Sequence, residues 1–154
     1  FQAEDGIRDL VRSRGLGDVY KRQKLARKYS IITENEIRYE EHNIDNSELV
    51  IVAYGTAARI AKGAIKRLRE HNKINVGLFR PITLWPFPEL QLRALSEKVK
   101  KFLVFEMSTG QMLDDVRLAL QGYADVAFHG RPGGAVPTPA ELANVIARHC
   151  NKKD

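Results

Sequence analysis

Four short polar or glycine-containing segments each follow an apolar run, and they hold the residues with the clearest chemical potential. The segments are residues 54–56, 80–83, 106–111 and 130–134. Residues 54–56, Tyr-Gly-Thr, could cradle a phosphate at the start of a helix, where backbone N–H groups point at an anion. They lack the three-glycine dinucleotide fingerprint and the lysine of a phosphate loop, so a plain tight turn is the favoured interpretation.

Arg80 and Glu106 are the charged candidates in these segments. A guanidinium just past a buried strand could clamp a carboxylate or a phosphate, and an ion pair to a neighbouring loop or subunit explains the placement of Arg80 equally well. Glu106 could transfer a proton, but the sequence offers no identifiable partner for general acid–base work. We therefore favour a hydrogen-bonding role for Glu106 in its loop.

The segment Arg131-Pro132-Gly133-Gly134 is the most unusual stretch of the chain. Paired glycines permit positive φ and close backbone approach, while Arg131 supplies a planar charge. Binding at a subunit or domain interface is therefore preferred over a passive turn, and we expect Arg131 and Arg80 on neighbouring loops. No catalytic residue is nominated. The candidates for an interface or anion site are Arg80, Glu106, Gln111, Arg131, Gly133 and Gly134.

Metal and thiol chemistry find little support in the sequence. The histidines, His42, His71, His129 and His149, show no metal-ligand spacing. Cys150 is the single cysteine, whereas a disulfide, a four-cysteine zinc site or an iron–sulfur cluster needs several thiolates. We expect no metal site in this chain and an ordinary thiol at Cys150.

Strand-like and helix-like patterns alternate along the chain and predict the elements that hold these segments. Short apolar runs predict strands at residues 49–53, 75–79, 102–105 and 126–128. Helical patterns cover residues 57–71, 89–100, 110–120 and 138–149. The last opens with Thr138, a first-turn Pro139 and Glu141, a capping box. Such alternation requires crossovers, which predicts a three-layer α/β fold, a mainly parallel sheet with helices on both faces. The four polar segments then lie at its carboxyl edge, where ligands usually bind.

The composition is that of a globular domain. The chain has 154 residues, of which 44% are hydrophobic and 29% charged. No apolar stretch approaches the roughly 20 residues that span a bilayer, and no signal-peptide layout opens the chain, which predicts a cytoplasmic protein. The formal net charge is +6, but Lys and Arg are interspersed with Asp and Glu. Solvated helix faces are therefore favoured over a nucleic-acid surface.

Four motifs together resemble the C-terminal region of the alpha subunit of 2-oxoacid:ferredoxin oxidoreductases, closest to the 2-oxoisovalerate (3-methyl-2-oxobutanoate) type. They are VAYGTAAR at residues 52–59, LFRPITLWPFP at 78–88, EMSTGQM at 106–112 and GRPGG at 130–134. The second is long and specific. The resemblance covers nearly all of residues 24–150, and it implies a transketolase C-terminal-like fold, in agreement with the alternation of strands and helices.

The resemblance also implies a function for the complete assembly. In this family a 2-oxoacid is decarboxylated on thiamine diphosphate, electrons leave through iron–sulfur clusters to ferredoxin, and the acyl group passes to coenzyme A. The clusters belong to another subunit, and the implied partners are beta and gamma or delta subunits. The present segment alone is expected to bind no cofactor, to be inactive, and to serve assembly and the edge of the substrate or coenzyme A channel. A non-catalytic docking module is the alternative, and a basic nucleic-acid-binding domain is less favoured.

Three regions are expected along the chain. Residues 1–23 resemble translated sequencing adapter, because residues 2–9 and 13–23 are in-frame translations of DNA that resembles a flow-cell primer and a transposase-library adapter. They are accordingly not assigned to a domain. Residues 24–47 are expected to be the remnant of a linker from an upstream domain, with residues 36–40 alternating as an edge strand would. Residues 48–154 form the transketolase C-terminal-like domain.

Overall fold

The computed structural model describes residues 3–72 and 74–150. These residues form two units, one ending at Glu36 and the other beginning at Ile37. The first unit consists of helix α1, Ala3–Asn35. Its described side chains, from Val19 onward, are exposed except for the half-buried Ile32. The second unit, called the sheet unit below, contains every other element.

The sheet unit is built on five strands. They are β1 (Tyr39–His42), β2 (Leu49–Val52), β3 (Val76–Pro81), β4 (Lys101–Glu106) and β5 (Asp125–Gly130). Their order across the sheet is β1-β3-β2-β4-β5. Strand β1 runs antiparallel to β3, and all other neighbours are parallel. The predicted mainly parallel sheet is therefore confirmed.

Four α-helices cover this sheet. They are α2 (Gly55–Arg67), which continues into a π-helical turn (Leu68–Asn72), α3 (Glu89–Lys98), α4 (Gln111–Leu120) and α5 (Pro139–Cys150). The predicted capping box opens α5: the N–H of Thr138 donates to Glu141 Oε2 at 2.7 Å, and the N–H of Glu141 donates to Thr138 Oγ1 at 3.2 Å. Within the residues described, no helix has both the length and the apolar composition to cross a membrane.

Strand β3 extends further than the sequence pattern predicts. Strand β3 was expected to end before Arg80, yet it includes Pro81, which pairs with Tyr39 of β1. Proline is tolerated there because the N–H of the following residue donates to the carbonyl of the residue before Tyr39 at 2.9 Å, which leaves Pro81 at a non-hydrogen-bonded position of the antiparallel pair. The ring of Tyr39 stacks on Phe79 with 5.3 Å between the ring centroids. Residues 37–47 belong to the sheet unit, and they contain β1 where the sequence pattern indicated an edge strand.

Alternating side chains of the central strands form two apolar layers. Leu49 and Ile51 of β2 pack with α2 and α5 on one face of the sheet. Val50 and Val52 pack with α3 and α4 on the other face. All four side chains are at most 2% exposed, as expected for a strand covered on both faces. The predicted three-layer α/β architecture is confirmed.

Candidate functional site

The strand order creates a topological switch point at the carboxyl edge of the sheet. Strand β2 leads through α2 to β3 on one side, and β4 leads through α4 to β5 on the other. Because α2 and α4 lie on opposite faces, the loops at residues 54–56 and 106–110 diverge. Open α/β sheets bind ligands in the crevice that such divergence leaves.

On the β3 side of this edge, a cluster of charges surrounds Glu40. Its Oε2 accepts from Arg80 Nη1 at 3.1 Å and from Lys62 Nζ at 3.5 Å, and it lies 3.1 Å from His42 Nε2. The hydrogen bond with His42, and then the neighbouring Arg80 and Lys62 charges, lower the pKa of Glu40. The ion-pair partner of Arg80 is thus Glu40 of the same chain, which lies on the antiparallel edge strand β1.

The same cluster borders a cavity of about 210 Å³ at the start of α2. We call it the α2 cavity, and it is lined by Gly55, Ala58, Arg59, Lys62 and Arg80. The structure thereby brings together two candidates that the sequence treated separately, the turn at residues 54–56 and Arg80. Glu40, Arg59 and Lys62 were missed. The three-residue spacing of Arg59 and Lys62 on a helix starting at this edge is the signal that places both on one face.

On the other side of the switch point, Glu106 is completely buried, with 0% of its surface exposed. Its Oε2 accepts from the Ser108 hydroxyl at 2.8 Å and from the Met112 N–H at 3.2 Å, whereas Oε1 has no hydrogen-bond partner among the described residues. Glu106 therefore fills the hydrogen-bonding role favoured from sequence and satisfies a first-turn donor of α4. Gly110 precedes this helix at φ 118°, and Gln111 begins it with an exposed side chain.

The loop after β5 adjoins the Glu106 loop through the backbone. The N–H of Arg131 donates to the carbonyl of Glu106 at 3.2 Å. Arg131 Nη1 lies 3.5 Å from Glu141 Oε2, in an ion pair with both side chains about half exposed. Gly133 and Gly134 have φ values of 89° and 78°, the left-handed conformation that glycine adopts without strain. These residues present an exposed loop beside the switch point.

The expectation that Arg80 and Arg131 lie on neighbouring loops is wrong. Arg80 is in β3 and Arg131 follows β5, and both β2 and β4 lie between those strands. Adjacent strands are about 4.8 Å apart, so the two loops belong to separate parts of the edge. The order of strands across the sheet differs from their order in the chain, and sequence periodicity does not report it.

Ligands for a metal ion or cluster are sparse in the described residues. No three His, Cys, Asp or Glu side chains there are grouped closely enough to hold a metal ion. Cys150 is half-buried, and burial raises the pKa of its thiol. An iron–sulfur cluster needs several thiolates, so the donor set of this chain does not fit one.

Comparison with known proteins decides the family. The sequence profile of the pyruvate:ferredoxin oxidoreductase core domain II matches residues 47–142, which is more than half of the chain. The chain belongs to this family. Core domain II therefore corresponds to the part of the sheet unit that begins at the turn before β2 and ends within α5.

Curated relatives of this core domain II are subunits of larger oxidoreductases. The ketoisovalerate oxidoreductase subunit VorB of Methanothermobacter thermautotrophicus is 48% identical over 124 residues, which cover 80% of this chain and 34% of VorB. VorB of Methanothermobacter marburgensis is 46% identical over the same length. The 2-oxoglutarate synthase subunit KorA of M. thermautotrophicus is 33% identical over 109 residues, 71% of this chain and 29% of KorA. The resemblance noted from the motifs is confirmed, and the chain spans about a third of the VorB length.

Solved structures share the fold of core domain II. The 2-oxoglutarate:ferredoxin oxidoreductase of Magnetococcus marinus, solved with 2-oxoglutarate, coenzyme A and succinyl-CoA bound, matches with a TM-score of 0.69 at 19% identity, over 88% of this chain and 23% of that one. A split-gene transketolase, an inactive beta4 tetramer, matches with a TM-score of 0.58 at 16% identity, over 71% of this chain and 40% of that one. The transketolase C-terminal-like fold is thereby confirmed.

Proposed function

We propose that this core domain II forms part of the alpha-type subunit of a 2-oxoacid:ferredoxin oxidoreductase whose substrate is a ketoisovalerate-type 2-oxoacid. The observation that carries the proposal is the 48% identity to a ketoisovalerate oxidoreductase subunit, against 33% to a 2-oxoglutarate synthase subunit from the same organism. The family match also disfavours a docking module unrelated to an enzyme and a nucleic-acid-binding domain. We assign the assembly to the cytoplasm, with no membrane or nucleic-acid partner.

The proposed complex carries out oxidative decarboxylation with acyl transfer to coenzyme A, and ferredoxin takes up the electrons. Thiamine diphosphate supplies the carbanion-stabilising chemistry, while protein supplies position and electrostatics. The single Cys150 and the lack of grouped metal ligands among the described residues do not fit a cluster or a metal–diphosphate site in this domain. We therefore assign both cofactors to other parts of the complex.

The contribution of core domain II is assembly with beta and gamma or delta subunits and formation of one edge of the substrate or coenzyme A channel. The position of the candidate residues at the carboxyl edge of the sheet supports this role. One loop exposes Arg131, Gly133 and Gly134, and Gln111 is exposed at the start of α4. Arg80 of β3 pairs with Glu40 of β1, and Glu106 accepts a hydrogen bond from the first turn of α4 beside the switch point.

A chimera tests this proposal in a complete complex. The 124 residues of M. thermautotrophicus VorB that align with this chain are replaced by their counterparts here, and the chimera is produced with the remaining subunits of that enzyme. We expect co-elution of all subunits and coenzyme A-dependent oxidation of ketoisovalerate in preference to 2-oxoglutarate. A VorB chimera carrying the aligned KorA residues is the control. A folded chimera that fails to co-elute, while the control assembles, contradicts the proposal.

Arginine variants of the same chimera test the interface role. If Arg131 contacts another subunit in a desolvated setting, Arg131→Ala weakens assembly by about 2 kcal/mol, against about zero for a solvated ion pair. Arg80→Ala is measured in parallel. Arg80 is the comparison because it forms an ion pair with Glu40 inside the domain. Subunit dissociation measured by co-elution, alongside thermal melting of each variant, separates an effect on assembly from an effect on folding.

We also propose that residues 1–23 are adapter-derived and contribute nothing to the fold. Among the described residues, the buried apolar clusters and the side chains packed on them begin at Ile44. Deletion of residues 1–23 is therefore expected to change the free energy of unfolding of the sheet unit by less than about 0.5 kcal/mol. Denaturant unfolding measures the change, and amplification of the source DNA across codon 24 is the independent test. A large loss of stability on deletion, or genomic DNA that encodes these residues, contradicts the proposal.

A further inference from the structure

We propose that the α2 cavity binds a phosphate group, supplied either as free phosphate or by the phosphate ester of a nucleotide-type ligand. The cavity combines three basic side chains with the start of a helix, all within the sheet unit. The inference concerns the binding chemistry of this domain and goes beyond the assignment of a 2-oxoacid to the complex.

The charges around the cavity leave an excess of positive charge. Arg59, Lys62 and Arg80 line it, and Glu40 offsets part of their charge through its contacts with Lys62 and Arg80. Arg59 has no ion-pair partner within the part of the chain described. About two positive charges remain, which matches a phosphate dianion better than a carboxylate.

Unsatisfied donors point to the same kind of ligand. The Nε–H of Arg80 is buried and has no acceptor among the described residues. An unpaired buried donor is costly, and it leaves Arg80 with hydrogen-bonding capacity beyond its contact with Glu40. Guanidinium groups present two N–H donors in a fork that suits phosphate oxygens, and Arg59 lines the cavity without an ion-pair partner among the described residues.

The first turn of α2 adds backbone donors. Tyr54, at the N-cap position, makes no side-chain cap hydrogen bond, and the first turn contains no acidic residue. The N–H groups there lack intrahelical partners, and the helix dipole favours an anion beside them. Gly55 has φ 54°, and a Cβ at this position would meet nothing within 4 Å. The space on the Cβ side of Gly55 is therefore open.

The size of the cavity selects a single anionic group. A volume of about 210 Å³ leaves room for one phosphate group. Sites that enclose a whole drug-sized ligand measure about 300–1,000 Å³. The remainder of a larger ligand would extend outside the cavity.

The test is a titration of the full ¹⁵N-labelled chain followed by NMR. Inorganic phosphate and ADP are the probes, and acetate and chloride at equal ionic strength are the reference anions. We expect saturable shifts of the Gly55 and Thr56 amides with phosphate, and a weaker response to acetate. Arg59→Ala is expected to weaken binding about tenfold, the loss of a charge-assisted hydrogen bond. Glu40→Gln is expected to tighten it, because a competing negative charge is removed.

Arg67→Ala is the matched control, since Arg67 is an exposed cation of the same helix and does not line the cavity. It should leave the phosphate affinity unchanged within about twofold, as expected for a distant solvated charge. Saturation by phosphate alone identifies the free ion as the ligand, and tighter saturation by ADP identifies a phosphate ester. The proposal is overturned if no saturable shift occurs, or if Arg67→Ala and Arg59→Ala weaken binding equally.

Discussion

Replacement of Glu106 by leucine is expected to lower the free energy of unfolding by about 3 kcal/mol, as for other losses of a buried hydrogen-bonding partner. Glu106 Oε2 accepts from the Ser108 hydroxyl and from the N–H of Met112, a residue only 3% exposed. Leucine has a similar size but leaves both donors without an acceptor. The loop that flanks the switch point would lose its anchor to α4.

Glutamine at the same position should be less damaging than leucine. The amide oxygen of Glu106→Gln retains an acceptor for Ser108 and Met112, whereas its NH2 group takes the place of Oε1, which is buried without a partner among the described residues. The unpaired NH2 group is costly, so we expect a loss of about 1 kcal/mol. Denaturant unfolding of the full chain measures both variants. Glu97→Leu, at an exposed site of α3, is the control for adding an apolar surface side chain.

Equal destabilisation by leucine and glutamine would contradict this account of Glu106. Such a result would mean that the negative charge, and not the acceptor oxygen, stabilises the fold. A leucine variant as stable as the original would also contradict it. Buried N–H groups without acceptors are costly, so such a result would mean that the hydrogen bonds to Glu106 do not stabilise the fold. The two variants thus separate the hydrogen bonds of the side chain from its charge.

The second large effect is expected from Gly130→Ala, at the end of β5. A Cβ there would collide with Cζ of Phe128 and lie 2.7 Å from the carbonyl oxygen of Ser108. The partly exposed Phe128 ring can rotate away, but the Ser108 carbonyl belongs to the backbone and can move only with its loop. We expect a loss of about 2–3 kcal/mol, in the range of an overpacked interior.

Gly133→Ala is the matched control for Gly130→Ala. Gly133 has φ 89°, and a Cβ there would meet nothing within 4 Å, so only the left-handed backbone penalises alanine. That penalty is about 1–2 kcal/mol. Calorimetric melting of both variants, with amide shifts of residues 106–110, gives the comparison. A smaller loss for Gly130→Ala than for Gly133→Ala, or unperturbed amides in that loop, would contradict the proposed contact.

Local features of the fold could be predicted from the sequence. The capping box of Thr138 and Glu141 joins residues three apart, and its pattern is visible in four consecutive letters. The two faces of β2 follow from an unbroken apolar run, and the positive φ values of Gly133 and Gly134 are values that glycine permits. In each case the physical cause operates within one element or one turn.

Long-range features could not be predicted in the same way. The contacts of Glu40 with Lys62 and Arg80 join residues 22 and 40 positions apart, and they depend on β1 pairing at the edge of β3. The separation of Arg80 from Arg131 depends on lateral strand order. Neither property leaves a periodic signal in the chain. The α2 cavity was therefore inaccessible to sequence reasoning, although Gly55 and Arg80 were both identified.

The pairing pattern of the sheet also affects how fast the domain folds during its synthesis. Strand β2 pairs with β3 through Leu49 and Val76, 27 residues apart, and with β4 through Val50 and Phe102, 52 residues apart. Pairing of distant parallel strands slows folding, because the entropy of loop closure is lost before the contacts form. On a ribosome that adds about 5–20 residues per second, β2 would wait roughly 3–10 seconds for β4 to be synthesised. During that interval its apolar residues have no completed sheet to enter, and exposed apolar strands of this kind are prone to aggregation.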